Sequence, residues 1–481
     1  MLRFLCISMA LCWTILDGLA QTSPQTWSLQ DCIDYALQNN LQLRQNALNN
    51  RVTANNLLQS RAERLPNLNA SAGQSYNAGR SIDPFTNQFT TDVIRSNNFS
   101  VSMSIPVFTG FRIKNTITQN QVLLQAGEQD LAQAQNDLQL NIAGAYLNIL
   151  LNRELVKNAE LQRQNTDTQI ERLRKLIAAG VLPEIDLYDL LAQAATNDQQ
   201  IVSSRNALML SELSLKQLLQ LPAQDSINIQ TPVLSDPVLG SPALPQLVYE
   251  QAETTQPNIK SADLNTEAAR LGVEIAQSNR YPSISINGVA FTGYSSAQSQ
   301  FFEGDGTTQS VFLPIGFLAD DPSRIVLTER EISNGEVIDF TFGRQLKEAF
   351  RQNVGVTVQI PIFNRFQVDN AVKNAKINVE RAQLNAQLTR NQLRQTIEQA
   401  YADVLAAQAT YAATQERIRA LETSLEAIEK RLQAGTANSI DFTLAQNQLN
   451  AARTDQLRAK YETIFRQKVL DFYQGKELSL D

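Results

Sequence analysis

The chain has 481 residues, 43% of them apolar and 19% charged, enough apolar surface for ordered structure in two or three ordinary domains or one very elongated one. Its 41 Lys and Arg against 48 Asp and Glu leave a net charge of -7, which argues against the basic face of a general nucleic-acid binder. Histidine is absent, so Ser-His-Asp triads, imidazole acid/base catalysis and the commonest metal ligand are removed together, and no enzyme, cofactor or metal site is expected.

Met1 to Ala20 reads as a secretory signal peptide: Arg3 supplies the positive start, Phe4 to Leu16 the apolar run, and Gly18-Leu19-Ala20 a small-x-small cleavage site. Cys6 and Cys12 leave with it, so Cys32 remains alone and no intrachain disulfide is expected. Beyond Ala20 there is no apolar run of 18 residues, and no transmembrane helix is expected. The first strand signal is Asn67 to Ala78. The second, Phe99 to Ile105, alternates apolar and small polar residues strictly. Next comes Asn115 to Ala179, which has no proline and carries Ile117, Leu124, Leu131 and Leu138 at heptad spacing, the pattern of coiled-coil packing. At 1.5 Å per residue such a helix runs roughly 100 Å. Gly180 permits the reversal into a returning helix, and Pro183 suits its start. The segment 222–245 holds five prolines and reads as an irregular connector.

After the connector the order recurs. Ile105-Pro106-Val107-Phe108 returns as Ile360-Pro361-Ile362-Phe363 at an offset of 255, which also pairs Ala145-Tyr146 with Ala400-Tyr401, Ala179-Gly180 with Ala434-Gly435 and Ile185-Asp186 with Ile440-Asp441. The heptad partners are Val372, Val379, Ala386 and Leu393. Upstream, Arg64 to Leu68 matches Arg280 to Ile284 at 216, so the second copy carries 39 extra residues within 295–349. The chain therefore divides into a signal peptide (1–20), a first repeat (21–221), the connector (222–245), a second repeat (246–475) with a loop insertion at 295–349, and a tail (476–481). That insertion has nine acidic and four basic residues and six Phe; it reads either as a solvated loop or as an extracellular loop narrowing a barrel mouth. Ser283 to Thr292 and Val354 to Ile360 supply two more strands, each about the length of a tilted strand crossing a bilayer. Half-buried hairpins in a soluble sheet remain the alternative; the export signal and the abundant polar helix favour an outer-membrane barrel.

This order, with two copies each of Ile-Pro-(Val/Ile)-Phe, helical Ala-Tyr and the turn Leu432 to Asp441 (first-half counterpart Ile177 to Asp186), resembles the TolC family of outer-membrane efflux and secretion channels. The resemblance covers about Leu29 to Gly475. It implies a mainly α fold with a small β part, in which long coiled-coil helices form an α-barrel in the periplasm. Four strands per chain join a 12-stranded β-barrel shared by a homotrimer in outer-membrane lipid. Four strands alone are too few, since outer-membrane barrels start at about eight and open edges are not tolerated in lipid. The implied function is the passive exit duct of a tripartite efflux or type I secretion system, with a periplasmic adaptor and an inner-membrane transporter as partners. The other reading is an exported periplasmic coiled-coil scaffold without a pore, which would not need the strands.

The resemblance also implies that the turns form the periplasmic tip, with Gly180, Pro183, Gly435 and Thr436 at the adaptor contact. Asp441 falls on one of the family's acidic rings. The second ring position is Leu444, and the gating Arg and Tyr positions fall on Ala437 and Leu432. Asp186 and Asp189 are the first repeat's gate candidates. The plain alternative for Asp441 is a first-turn carboxylate that complements the helix dipole. Tyr146 and Tyr401, in mid-helix, read as core packing.

Overall fold

The computed structural model describes residues 26–82, 89–91, 93–181, 183–232, 234–298, 300–434, 436–437 and 439–479. The expected signal peptide, Gly435 and the last two residues of the tail lie outside them. The elements in order are β1 (Thr26–Trp27), α1 (Leu29–Asn39), α2 (Leu41–Ala62), β2 (Asn67–Asn77), β3 (Ser81–Ile82), β4 (Phe89–Thr90), β5 (Ile94–Thr109), α3 (Arg112–Ala178), α4 (Ile185–Leu219) and β6 (Asn228–Ile229). They continue with α5 (Pro245–Thr255), α6 (Pro257–Ser278), β7 (Ser283–Ser295), β8 (Gln300–Phe317), β9 (Ile325–Asp339), α7 (Phe342–Glu348), β10 (Arg351–Gln359), α8 (Gln367–Gln433) and α9 (Ser439–Tyr473). They group into two compact units: one contains residues up to 56, 119–270 and from 377 onward, the other 57–118 and 271–376.

The first unit is helical, and the duplication is written into its elements. α3 and α8 have 67 residues each at an offset of 255, and α1 and α2 recur as α5 and α6 at 216. The heptad residues point inward: Leu138, Val372, Ala386 and Leu393 are buried and the other four half-buried. Two cores result. One gathers Cys32, Ile33, Ala36, Leu43, Leu138, Ile142, Ile149 and Leu215, the other Val248, Tyr249, Ala252, Ile259, Leu393, Ile397, Val404 and Leu470. Each residue of the second set stands 216 or 255 positions after one of the first. Cys32 thus occupies a valine position and acts as a small core hydrophobe. The Pro-rich connector is strapped down through its backbone. The Tyr146 hydroxyl donates to the Gln230 carbonyl at 2.6 Å, Arg153 to that of Ile229 at 2.9 Å, and Lys460 to that of Leu234 at 3.1 Å. Tyr146 is 1% exposed, a core residue with a satisfied hydroxyl.

The second unit is built on an antiparallel sheet in the order β10-β7-β5-β2, the four strands read from the alternation, although β5 runs farther at both ends. Pro106 donates no hydrogen bond, and the β5 register shifts at a bulge between Pro106 and Phe108. The insertion is not a loop: β8 and β9 form a long antiparallel ribbon, followed by the short α7. Strand passes to long helix through two consecutive left-handed residues, Gly110 and Phe111 (φ 61° and 69°), and again Arg365 and Phe366 (φ 53° and 61°). Phe111 packs edge-on against Phe108 and Phe366 against Phe363, which holds these non-glycine residues in a costly conformation.

Candidate functional site

The register gives the sheet two chemically distinct faces, because directly opposed residues of an antiparallel pair project to the same side. Leu68, Ala70 and Ala72 oppose Met103, Val101 and Phe99. Met103, Val101 and Ile105 oppose Gly288, Ala290 and Ile286, and Ile286 and Ile284 oppose Val356 and Val358. This face is apolar apart from Gln352, opposite Ala290, and it contains the expected set Val101, Met103, Val356 and Val358. It is open to the surroundings: Val354, Val356 and Val358 are 77%, 66% and 54% exposed. From Phe99 to Phe108 the band rises about 31 Å along the strand at 3.4 Å per residue, hence roughly 25 Å tall at the usual barrel tilt. Aromatic residues flank it: Tyr76, opposite Arg95, and Tyr294 at one end, Phe111 packed against Tyr281 at the other.

The opposite face is mainly a ladder of hydroxyls and amides, with Val289, Phe291 and Arg351 toward the far end of β7 and the start of β10. Ser71 and Ser100 hydroxyls lie 2.8 Å apart, Ser104 donates to the Asn287 side chain at 2.8 Å, and Asn287 donates to Thr357 at 3.0 Å. The half of the alternation that sequence reasoning used only as spacing, Ser100-x-Ser102-x-Ser104, is therefore a bonded surface. Asn287 links three strands, which no local pattern announces. β2 and β10 are each bonded on one side only, leaving two open edges.

The second set of candidates lies at the helical turns. Gly180, at φ 71° with open space around its Cα, closes α3. The Val181 N–H donates to the Leu176 carbonyl at 3.0 Å and that of Gly180 to Ile177 at 2.9 Å, the Schellman pattern. At the same offset of 255 the Thr436 N–H donates to the Arg431 carbonyl at 2.9 Å. The Thr436 hydroxyl donates to that carbonyl too, at 3.1 Å, so it serves the turn itself. Pro183 precedes α4 by two residues and lies outside the helix, with Glu184 as the N-cap. Below the turns, Ile170 and Leu173 pack on Leu190 and Ala194, and Ile418 packs on Leu449 and Ala452.

Asp186 and Asp441 occupy the first turns of α4 and α9. Asp186 is half-buried; Asp189, Asp441 and Leu444 are exposed, Leu444 by 57%. Asp189 is the counterpart of Leu444 at 255. The Asn447 amide donates to the Gln193 side chain at 2.8 Å, eight residues into each helix, so the starts of α4 and α9 lie side by side. The structure thus brings the first-turn carboxylates of both repeats to one end of this unit; Gly435 falls outside the described residues.

A family model described as outer membrane efflux protein matches residues 32–220 and 331–475, well over half of the chain. The outer membrane efflux protein BepC of Brucella suis biovar 1 (strain 1330) is 20% identical over 452 residues, 94% of this chain and 85% of that protein. The solved outer membrane protein VceC of Vibrio cholerae superposes with a TM-score of 0.71 at 16% identity, covering 94% of this chain and 97% of its own. The outer membrane channel CmeC of Campylobacter jejuni does so with 0.65 at 17%, covering 93% and 86%.

Proposed function

The chain belongs to the outer membrane efflux protein family, and from that membership we propose that three copies form the exit duct of a tripartite efflux or type I secretion system. The family is one of channel proteins rather than enzymes, and the protein is an exit channel of the outer membrane reaching into the periplasm. The observation that carries the assembly is the four-stranded sheet with one apolar face, one hydrogen-bonded polar face and two open edges. In lipid such edges must be paired. Pairing β10 of one copy with β2 of the next closes three sheets into twelve strands, with the apolar face toward lipid and the polar face toward water. A pore-free scaffold has no use for two such faces. The sequence contains no phosphate loop of the G-x-x-x-x-G-K-[ST] type, so the driving energy comes from an inner-membrane transporter reached through an adaptor at the turns around Gly180, Pro183, Gly435 and Thr436. The protein should fractionate with the outer membrane and run as a detergent-stable trimer; recovery as a periplasmic monomer would overturn the reading.

At the turns, Asp441 forms a ring of three carboxylates about the axis, backed by Asp186 and Asp189. Leu444, one helical turn farther on, forms an apolar constriction that closes by dewetting. In planar bilayers Asp441→Asn should lower cation preference and Leu444→Ser should raise conductance. Unchanged currents in both variants would move the constriction elsewhere.

A further inference from the structure

The ribbon β8–β9 has fourteen registered pairs, from Gln300–Asp339 to Phe317–Ile325, and among the described residues the first repeat has no counterpart of this length. Its root is fixed. The side chain of Gln345 in α7, 3% exposed, donates to the carbonyls of Gln298 at 2.6 Å and Phe340 at 3.0 Å and accepts from the Ser295 N–H at 2.9 Å. The Thr292 hydroxyl donates to the Leu346 carbonyl at 2.5 Å, and the Tyr294 ring packs on Phe342 at 5.1 Å. The ribbon therefore leaves the sheet at a defined place, just before the open-edged β10 and at the end remote from the Gly110 elbow.

Among the described residues β8 pairs only with β9, so both long edges of the ribbon are free. A lone two-stranded ribbon is marginal in water and needs a further strand or surface. Its outer part is also strongly apolar. Phe312, Leu313, Ile315, Phe317, Ile325, Val326 and Leu327 are between 36% and 66% exposed. Lipid is a poor cover for this band, because the turn beyond it carries Asp320, Asp321 and Arg324, and charged groups are costly to bring into hydrocarbon. Charge favours like copies at this level alone. The lower ribbon has Glu303, Asp305, Glu331, Glu336 and Asp339 with no basic residue of its own; Glu303 is ion-paired with Arg344 of α7 at 2.5 Å, which leaves Asp305, Glu331, Glu336 and Asp339 as the repelling set. Phe312 to Arg330 offsets Asp320, Asp321 and Glu329 with Arg324 and Arg330, leaving a net charge of -1.

We propose that the apolar tip of each ribbon is covered by the tips of the other two copies, so that three ribbons converge over the barrel mouth as a second, extracellular constriction. This rests on the three-copy assembly proposed above. The ribbons are pushed apart along their acidic lower parts and held together at the tip, with the exposed Arg324 and Arg330 meeting carboxylates of a neighbouring copy.

The test is Ile315→Cys. The one cysteine among the described residues, Cys32, is buried and its thiol is pushed up to about 12 by desolvation, so it does not compete. Purified trimer of the variant, oxidised by copper-phenanthroline, should give a dimer-sized and a monomer-sized band on a non-reducing gel, because one disulfide joins two of three chains. A three-armed maleimide should join all three. An intact trimer whose chains stay separate with both reagents overturns the tip contact and leaves the assembly standing. So does quenching of a bimane on Ile315→Cys by spin-labelled lipid, which would make lipid the occupant. Absence of any trimer in the wild type would instead overturn the assembly and this proposal with it.

Discussion

Val356→Arg should cost about 2–4 kcal/mol of barrel stability, the toll of a cation near the midplane of a lipid-facing strand. Val356 stands on the apolar face opposite Ile286, is 66% exposed, and lies on the open-edged strand β10. In the proposed three-copy barrel a cation there meets lipid and also weakens the seam with the next copy. The detergent-stable trimer should fall by a factor of roughly 30 or more, read as the trimer-to-monomer ratio on a semi-native gel. Thr357→Arg, one residue on, places the same charge on the polar face. It loses one hydrogen bond from Asn287, worth about 1 kcal/mol, and should chiefly change conductance. Equal yields for the two variants would mean that the faces have no preferred side.

The second large effect is expected at the first elbow. Gly110 lies at φ 61°, and a Cβ built on it would stand 2.4 Å from the Ser278 carbonyl oxygen and 2.8 Å from the Tyr281 Cβ. Gly110→Ala therefore combines left-handed strain of about 1–2 kcal/mol with a backbone clash that cannot be relieved by rotating a side chain. A total loss of at least about 2 kcal/mol is expected. Arg365→Ala tests the same position of the second copy, which already carries a side chain at φ 53°, and should stay within about 0.5 kcal/mol. The temperature at which the trimer dissociates in detergent should drop for the first variant and hold for the second. Equal drops would mean that the crowding at Ser278 does not decide the choice of glycine.

The long helices and the sheet strands were legible because their patterns are uninterrupted: heptads in α3 and α8, strict alternation over Phe99 to Ile105 and Val354 to Gln359. The duplication was legible because short landmarks such as Ile105 to Phe108 with Ile360 to Phe363 and Ala145-Tyr146 with Ala400-Tyr401 keep one offset without a gap, and the core residues keep the same offsets. The ribbon was missed for the converse reason. Its register breaks between Gly304 and Thr308 and again between Pro314 and Gly316, and the run Phe312 to Phe317 is apolar on both faces, so no period survives. Gln345 reads as an ordinary helix-surface residue; two of its three bonds go to backbone groups 47 and 50 residues before it in the chain. The elbows were hidden because Phe111 and Phe366 are residues that rarely take positive φ. For Asp441 and Leu444, sequence position supplies the first turn and the exposed face, whereas any gating role depends on distances between copies, which no local pattern encodes.

The polar face of the sheet has a consequence for what can travel past it. Across Asn69, Ser71, Ser100, Ser102, Ser104, Ser285, Asn287, Asn353 and Thr357 it presents neutral donors and acceptors, interrupted by Val289 and Phe291, and its one charge, Arg351, stands at the very start of β10. Turned inward, such a wall substitutes for hydration without preferring either sign of charge. A zwitterion, a sugar chain and an unfolded peptide would all pass it on similar terms. Discrimination then falls to residues outside this stretch of wall, which can serve unrelated cargoes unchanged.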